Sequence, residues 1–338
     1  MITRVVLRAL WITLLLGASL LWTPRILRAQ VAAVTCSVTT NPTINFGVVN
    51  GLATGAATQA TVAWTCSNPS LLAQAYATFC IHIGNGSGGV QGTNRLMAAG
   101  AGQNLQFQLY QDSANTAVWG SLFAGVNPTP YQVSFVVPLG ITALLPGTYN
   151  GTATVYGVVP NAQIGLTSGS YTSSFVGINA QATVASNYAA APATCGTGNA
   201  SSFSFTVSAT VYPSCAITAA NNLNFGTPAG LLTANVDGTT TVQTQCTAST
   251  PFQIGLDNGQ NAIGAVRRMR GGSGDLITYE LYQDSGRATR WGNTVNSDTV
   301  SGTGNGAVQT TTVYGRVAAQ ATPTPDTYTD TITVSVTY

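Results

Sequence analysis

The chain has 338 residues but no lysine, one histidine and only 6% charged residues, with a formal net charge of +2. A nucleic-acid surface needs a basic face, so that partner class is excluded. A single imidazole, His82, cannot build a histidine-rich metal site, and no Cys-x-x-Cys pair is present. No metal or cofactor is expected. Long apolar runs are missing as well. The run at residues 9–22 is too short for a relaxed bilayer span. It follows Arg4 and Arg8 and leads into small residues, the pattern of a secretory signal peptide over residues 1–29, cut after Ala29 or Ala33.

The groups that catalysis needs are equally scarce. Between the leader and residue 211 there is one acid, Asp112, and one guanidinium, Arg95. A glycosidase pair needs two carboxylates, and a serine triad needs a free histidine base. His82 sits in an apparent strand, "CIHIG". "GNGSGG" at 84–89 lacks the lysine of a phosphate loop and reads as a turn. "RRMRGG" at 267–272 reads as a solvated turn. The chain is expected not to be an enzyme.

What is abundant is Gly, Thr, Ser, Asn and Val, the composition of a secreted all-β protein with short strands and many turns. The six cysteines are even in number, as disulfides in an oxidising compartment require.

The chain also contains itself twice. "CSVTTNPTINFG" from Cys36 matches "CAITAANNLNFG" from Cys215, and "LQFQLYQDSANTAVWG" matches "ITYELYQDSGRATRWG". "NRLM" and "RRM" precede the LYQD blocks at equal distance, so Arg95 and Asp112 have counterparts in Arg267 and Asp284. "LLPGTYNGTATVYG" at 144–157 is matched with "PTPDTYTDTITVSV" at 323–336. Near-equal spacing pairs Cys36 with Cys66 and Cys215 with Cys246; Cys80 and Cys195 then pair by elimination. The domains are expected at 30–211 and 212–338.

Each copy reads as an immunoglobulin-like β-sandwich. In the final segment Ile332, Val334, Val336 and Tyr338 share one strand face, and no strand follows, so the second domain is expected to lack its last strand. Ahead of Cys215, Phe203, Phe205, Val207, Ala209 and Val211 alternate with Ser and Thr. Five apolar side chains on one face suit a strand that completes the first domain in cis.

These blocks together resemble the spore coat protein U (SCPU) domain family, over nearly the whole chain behind the leader. The family includes secreted subunits of archaic chaperone–usher pili, and a tandem copy looks like a two-domain tip adhesin. The resemblance implies that a periplasmic pilus chaperone, and then the next pilin subunit, lends the missing strand at an outer-membrane usher. The accepting edge would lie at 327–338, with Tyr328, Ile332, Val334, Val336 and Tyr338, and the chaperone would anchor the Tyr338 carboxylate. It also implies secretion through the periplasm to the cell surface at a pilus tip. A shaft subunit must also donate a strand. The six residues "QVAAVT" before Cys36 reach only ~20 Å, too short for a five-pocket groove. This points to a terminal position.

Three stretches are special to the first copy. "SNPSLLAQAYATFC" carries Leu71, Leu72 and Tyr76; "SLFAGVNPTPY" carries Leu122, Phe123, Val126 and Tyr131; and 160–178 has no match in the second copy. Apolar residues in turn-rich segments either cover a larger core or form a binding surface. Attachment to an abiotic or host surface through these loops is the expected function. A glycan-binding lectin-like adhesin and a non-pilus coat protein are the alternatives.

Overall fold

The computed structural model describes residues 33–338 apart from 53–54, 101, 143, 162, 199 and 229–230. The expected signal peptide lies outside the described residues. Among the described residues, no helix is long and apolar enough to cross a membrane. The protein is all-β, with two domains of packed sheets.

The first domain contains β1 (Thr35–Thr40), β2 (Ile44–Val49), β3 (Ala56–Asn68), β4 (Ala75–Ile83), β5 (Val90–Gln91), β6 (Asn94–Ala98), β7 (Asn104–Tyr110) and β8 (Tyr131–Val137). It continues with β9 (Gly147–Val159), β10 (Gly169–Phe175), β11 (Ala180–Asn187), β12 (Ser201–Ser202) and β13 (Phe205–Val211). One sheet runs β1-β3-β9-β7-β6-β10-β13-β2, with β5 beside β6; the other runs β12-β11-β4-β8. The second domain contains β14 (Cys215–Ala220), β15 (Val236–Cys246), β16 (Pro251–Leu256), β17 (Arg267–Arg270), β18 (Leu276–Tyr282), β19 (Val300–Thr303), β20 (Val308–Val317) and β21 (Val334–Thr337). Its sheets run β14-β15-β20-β18-β17 and β19-β16-β21.

The strands follow the period-2 pattern of a half-buried surface. In β13, Phe205, Val207, Ala209 and Val211 are buried while Thr206 is exposed. β4 departs from it: Ala77, Phe79 and Ile81 join the core on one face, and Thr78, Cys80 and His82 are also buried on the other. Residues 190–195 cover that outer face. Thr78 Oγ1 donates to Pro192 O and Gln132 Nε2 to Ala193 O. The Cys80–Cys195 disulfide holds the covering segment down. The other disulfides, Cys36–Cys66 and Cys215–Cys246, join neighbouring strands within each copy.

Two shared motifs fix the same clasp in both domains. Trp119 Nε1 donates to Ile81 O and Trp291 Nε1 to Ile254 O, each at 2.8 Å. Arg95 reaches the carbonyls of Ile83, Gly84 and Trp119; Arg267 reaches those of Leu256, Asp257 and Trp291. The recurring aspartates close a turn. Asp112 accepts from Thr116 N and Ala117 N, and Asp284 from Ala288 N and Thr289 N. Backbone donors hold both carboxyls below their ordinary range.

The pairing corrects one sequence match. β9 lies between β3 and β7, and its equivalent between β15 and β18 is β20. Thus "TATVYG" matches "TTTVYG" at 310–315, and 323–336 has a different partner. That partner is β10 with β11. The Thr172–Ala98 bridge of β10 recurs as Thr329–Arg270, and β11 on β4 recurs as β21 on β16. Residues 169–175, expected to be unmatched, therefore correspond to 326–332.

β13 stands between β10, antiparallel to it from Gly169↔Val211 to Phe175↔Phe205, and β2, parallel to it. Phe205 stacks on Phe175 with ring centroids 4.5 Å apart. The prediction is that Val207→Asp, which buries an unpaired carboxylate at a fully covered site, destabilises the first domain by several kcal/mol. Denaturant unfolding followed by the buried Trp64 and Trp119 checks this; an unchanged midpoint contradicts the role given to β13.

Candidate functional site

No strand among the described residues occupies, in the second domain, the place that β13 occupies in the first. The flanking stretches are present: 222–226 corresponds to the region of β2, and 327–332 to β10. Between them lie two cavities of about 650 and 580 Å³. Met269, Ile277, Tyr279, Leu281, Val242 and Val313 line them. Their counterparts Met97, Leu105, Phe107, Leu109, Val62 and Val155 are sealed in the core of the first domain. The groove is therefore strand-shaped, with an apolar floor and two flanking backbones. It holds one polar device that the first domain lacks. Tyr279 replaces Phe107, and its hydroxyl donates to Asp330 Oδ2 at 2.8 Å. Burial, together with that carboxylate, pushes the phenol pKa up.

The residues expected at the accepting edge divide between two places. Tyr328, Ile332 and Val334 line the groove. Val336 instead faces Ile254 across the β16–β21 pair, and Tyr338 is 59% exposed. The flank of the groove is 327–332, because the chain turns from one sheet to the other before β21.

The apolar loops of the first domain do not converge. Leu71 and Leu72 precede β4, whereas 122–126 packs where β4 ends: Ile83 N donates to Gly120 O, and Ala124 lies beside Gly84. These ends stand ~26 Å apart along the strand. Leu122 and Val126 are exposed at the second end. Phe123 packs edge-on against His82 at 4.8 Å. Tyr131 belongs to β8 and stacks on Trp119 at 5.1 Å, so it serves the core. Tyr76 is half-buried in β4, and its hydroxyl accepts from Gln74 Nε2.

Leu71 and Leu72 gain neighbours that the sequence analysis missed. The β8–β9 hairpin folds against their loop: Gly140 N donates to Ser70 O at 2.8 Å, and Ile141 N to Leu145 O at 2.9 Å. Together these place Leu72 (96% exposed), Ile141 (84%) and Leu144 (91%) at one end, with Leu71, Leu139 and Leu145 also exposed. The signal lies in "LGITALLP" at 139–146, an apolar run with Gly and Pro, of which only 144–146 fall within the stretch matched to 323–336.

This end points away from the second domain. The equivalent end of the second domain meets the first: Ala248 N donates to Leu166 O at 3.1 Å, and Gly306 abuts Gly165. Leu166 follows β9 at its Val159 end, and β9 runs thirteen residues from the opposite end at Gly147.

Cys80, His82 and Cys195 offer donor atoms within 4.8 Å of one another. The donor set does not suit a metal, because the sulfurs are joined in the disulfide. Both imidazole nitrogens are engaged as well, Nε2 with Thr183 Oγ1 at 2.9 Å and Nδ1 accepting from Leu122 N at 3.3 Å.

The geometry defines a two-domain β-sandwich protein in which one domain is closed by its own strand and the other presents a strand-shaped groove. Comparison with protein families matches the Spore Coat Protein U domain over residues 25–177 and 201–335. The chain belongs to that family, in two copies. No curated protein matches it. Among solved structures it is similar to the CsuC–CsuE chaperone–tip adhesion subunit pre-assembly complex from archaic chaperone-usher Csu pili of Acinetobacter baumannii, at 15% identity, covering 90% of this chain and 100% of that one, with a TM-score of 0.48. It is also similar to the CupB6 tip adhesin from Pseudomonas aeruginosa, at 12% identity, 90% and 94% coverage and a TM-score of 0.35. A third is CfaE, the adhesive subunit of CFA/I fimbria of enterotoxigenic Escherichia coli, at 11% identity, 89% and 93% coverage and a TM-score of 0.32.

His82 generates a pH prediction. Burial lowers its pKa to about 4, while an unfolded histidine titrates near ~6.5. Between these values the unfolded chain binds the proton and the folded chain does not, so stability falls as pH drops through this window. Above it, this contribution is fully present and flat. The first-domain unfolding midpoint should decline from about pH 6.5 to about pH 4. His82→Gln, which keeps one donor and one acceptor, should remove that decline. An unaltered pH profile in the variant contradicts this assignment.

Proposed function

We propose that the protein is the terminal, adhesive subunit of a chaperone–usher pilus. Its second domain accepts a strand from another chain, and its first domain attaches to a surface through an apolar end. The observation that carries this reading is the groove of the second domain beside β13 in the first. One chain holds the completed and the open form of the same sandwich. A strand laid between 222–226 and 327–332 would satisfy two backbone edges and cover the apolar floor, which is β-augmentation. A periplasmic chaperone is the first occupant on this reading, and the next subunit at an outer-membrane usher replaces it.

Membership in the family and the head-to-tail order of the domains support a terminal place for the first domain. β13 is used up inside its own domain, and the apolar end faces outward. Leu72, Ile141 and Leu144 are the most exposed aliphatic side chains there. The first domain's only charged side chains are the buried Arg95 and the half-buried Asp112, so its attachment is apolar in character. Burial at roughly 25 cal/mol per Å² makes one such end a weak binder. Many pili on one cell turn weak contacts into firm attachment.

Combined Leu72→Asn, Ile141→Asn and Leu144→Asn substitutions test the attachment site. These side chains are exposed, so stability should shift by no more than about 0.5 kcal/mol per site. Piliation should be normal, and attachment to hydrophobic plastic should fall severalfold. Undiminished attachment with normal piliation contradicts the site. Attachment blocked by a free sugar turns the reading towards a glycan-binding adhesin.

A further inference from the structure

The two domains share a buried arginine, but they neutralise it differently. Around Arg267 the charges balance. Arg267 pairs with Glu280, and Glu280 Oε2 also takes Arg290 Nε at 2.9 Å. Arg290 in turn pairs with Asp298 at 3.3 Å and reaches Asn258 Oδ1. Two guanidiniums stand against two carboxylates.

In the first domain Arg95 makes the same carbonyl contacts and is 3% exposed. Its Nη1 donates to Gln108 where Arg267 has Glu280, and Val118 stands where the second copy has Arg290. Among the described residues no ion pair reaches Arg95. Replacing Glu by Gln removes the countercharge; replacing Arg by Val removes the side chain that filled the space beside it. A cavity of about 10 Å³ results, lined by Arg95, Gln108, Asn85, Thr93, Val118 and Asn127. That is room for about one water-sized particle. Four hydrogen bonds account for four of the five guanidinium N–H groups, and the fifth is on Nη1. Asn85 and Asn127 also line the cavity; Asn127 Nδ2 gives one N–H to Val118 O at 3.3 Å, which leaves its second N–H.

We propose that this cavity binds a small monovalent anion of the halide class, held by Arg95 and the amides of Asn85 and Asn127, which takes the place of the missing carboxylate. A buried charge without a counterion is costly, and the cost falls when an opposite charge enters the same low-dielectric pocket. The charge persists at neutral pH, since burial lowers the Arg95 pKa only to about 9. The anion ties together 83–85, 93–95 and 118–127, the segments that carry the arginine clasp.

The test is thermal unfolding of the oxidised full chain in sodium chloride against sodium gluconate at constant ionic strength, with ³⁵Cl line broadening as a second readout. In wild type the first-domain midpoint should rise with chloride by roughly 3–5 °C per tenfold increase once the site saturates. The chain should also broaden the ³⁵Cl signal. Gln108→Glu restores the countercharge of the second domain. It should unfold at a higher temperature than wild type in gluconate, ignore chloride and leave the ³⁵Cl line narrow. Equal wild-type midpoints in the two salts, or an absence of broadening by the wild-type chain, overturn the proposal. So does a chloride response in Gln108→Glu as large as that of wild type.

Discussion

An apolar sheet face in a sandwich must be covered by a strand that also satisfies the backbones on either side. In the first domain this demand is met by β13. Its apolar side lies on Leu105, Phe107 and Leu109, and its two edges pair with β10 and β2. The second domain has the same floor and the same two flanks. The stretches at 222–226 and 327–332 form no strands of their own. Strand geometry there depends on a central partner, and β10 and β2 take it up only beside β13. The open groove depends on this one contrast.

The rest of the scaffold is shared and does not depend on the groove. The Trp–carbonyl and Arg–carbonyl clasps join the two sheets at the same point in both copies. They hold each sandwich at the C-terminal end of β4 and of β16. A domain can therefore stay assembled while its groove is open. The first domain adds the Cys80–Cys195 covering segment over the outer face of β4, and among the described residues the second domain has no equivalent. That difference follows from the sequence between β11 and β13, which in the first domain must carry the chain from one sheet to the other.

Much of this was legible in the sequence because it lies in local alternation and in repetition. The five apolar positions of 203–211, the cysteine spacings and the LYQD and WG blocks each required only counting. The pairing of segments far apart was harder. "GTY" at 147–149 and "DTY" at 326–328 look alike, but the latter corresponds to "GSY" at 169–171, since shared strand neighbours and not shared letters decide the match. The same match covers Leu144, whereas Ile141 lies ahead of it, and no repeat marks that position. Tyr131 looked like a loop residue because Pro128 and Pro130 precede it, yet it opens β8 and packs on Trp119. Which end of β4 a loop occupies is set by strand direction, and no local pattern records that.

The central claim is that the second domain lacks only what β13 supplies to the first. Fusing a second copy of residues 188–211 behind Tyr338, with Cys195→Ser in the added copy, tests it within one chain. Backbone amide exchange over 222–226 and 327–332 is the measurement. The account predicts that the amides of these stretches, apart from Gly226, Thr327 and Thr329, which already donate within the parent chain, gain protection to the level of β2 and β10, and that the second domain unfolds at a higher denaturant concentration. Unchanged exchange in both stretches, with the added segment itself unprotected, would contradict it.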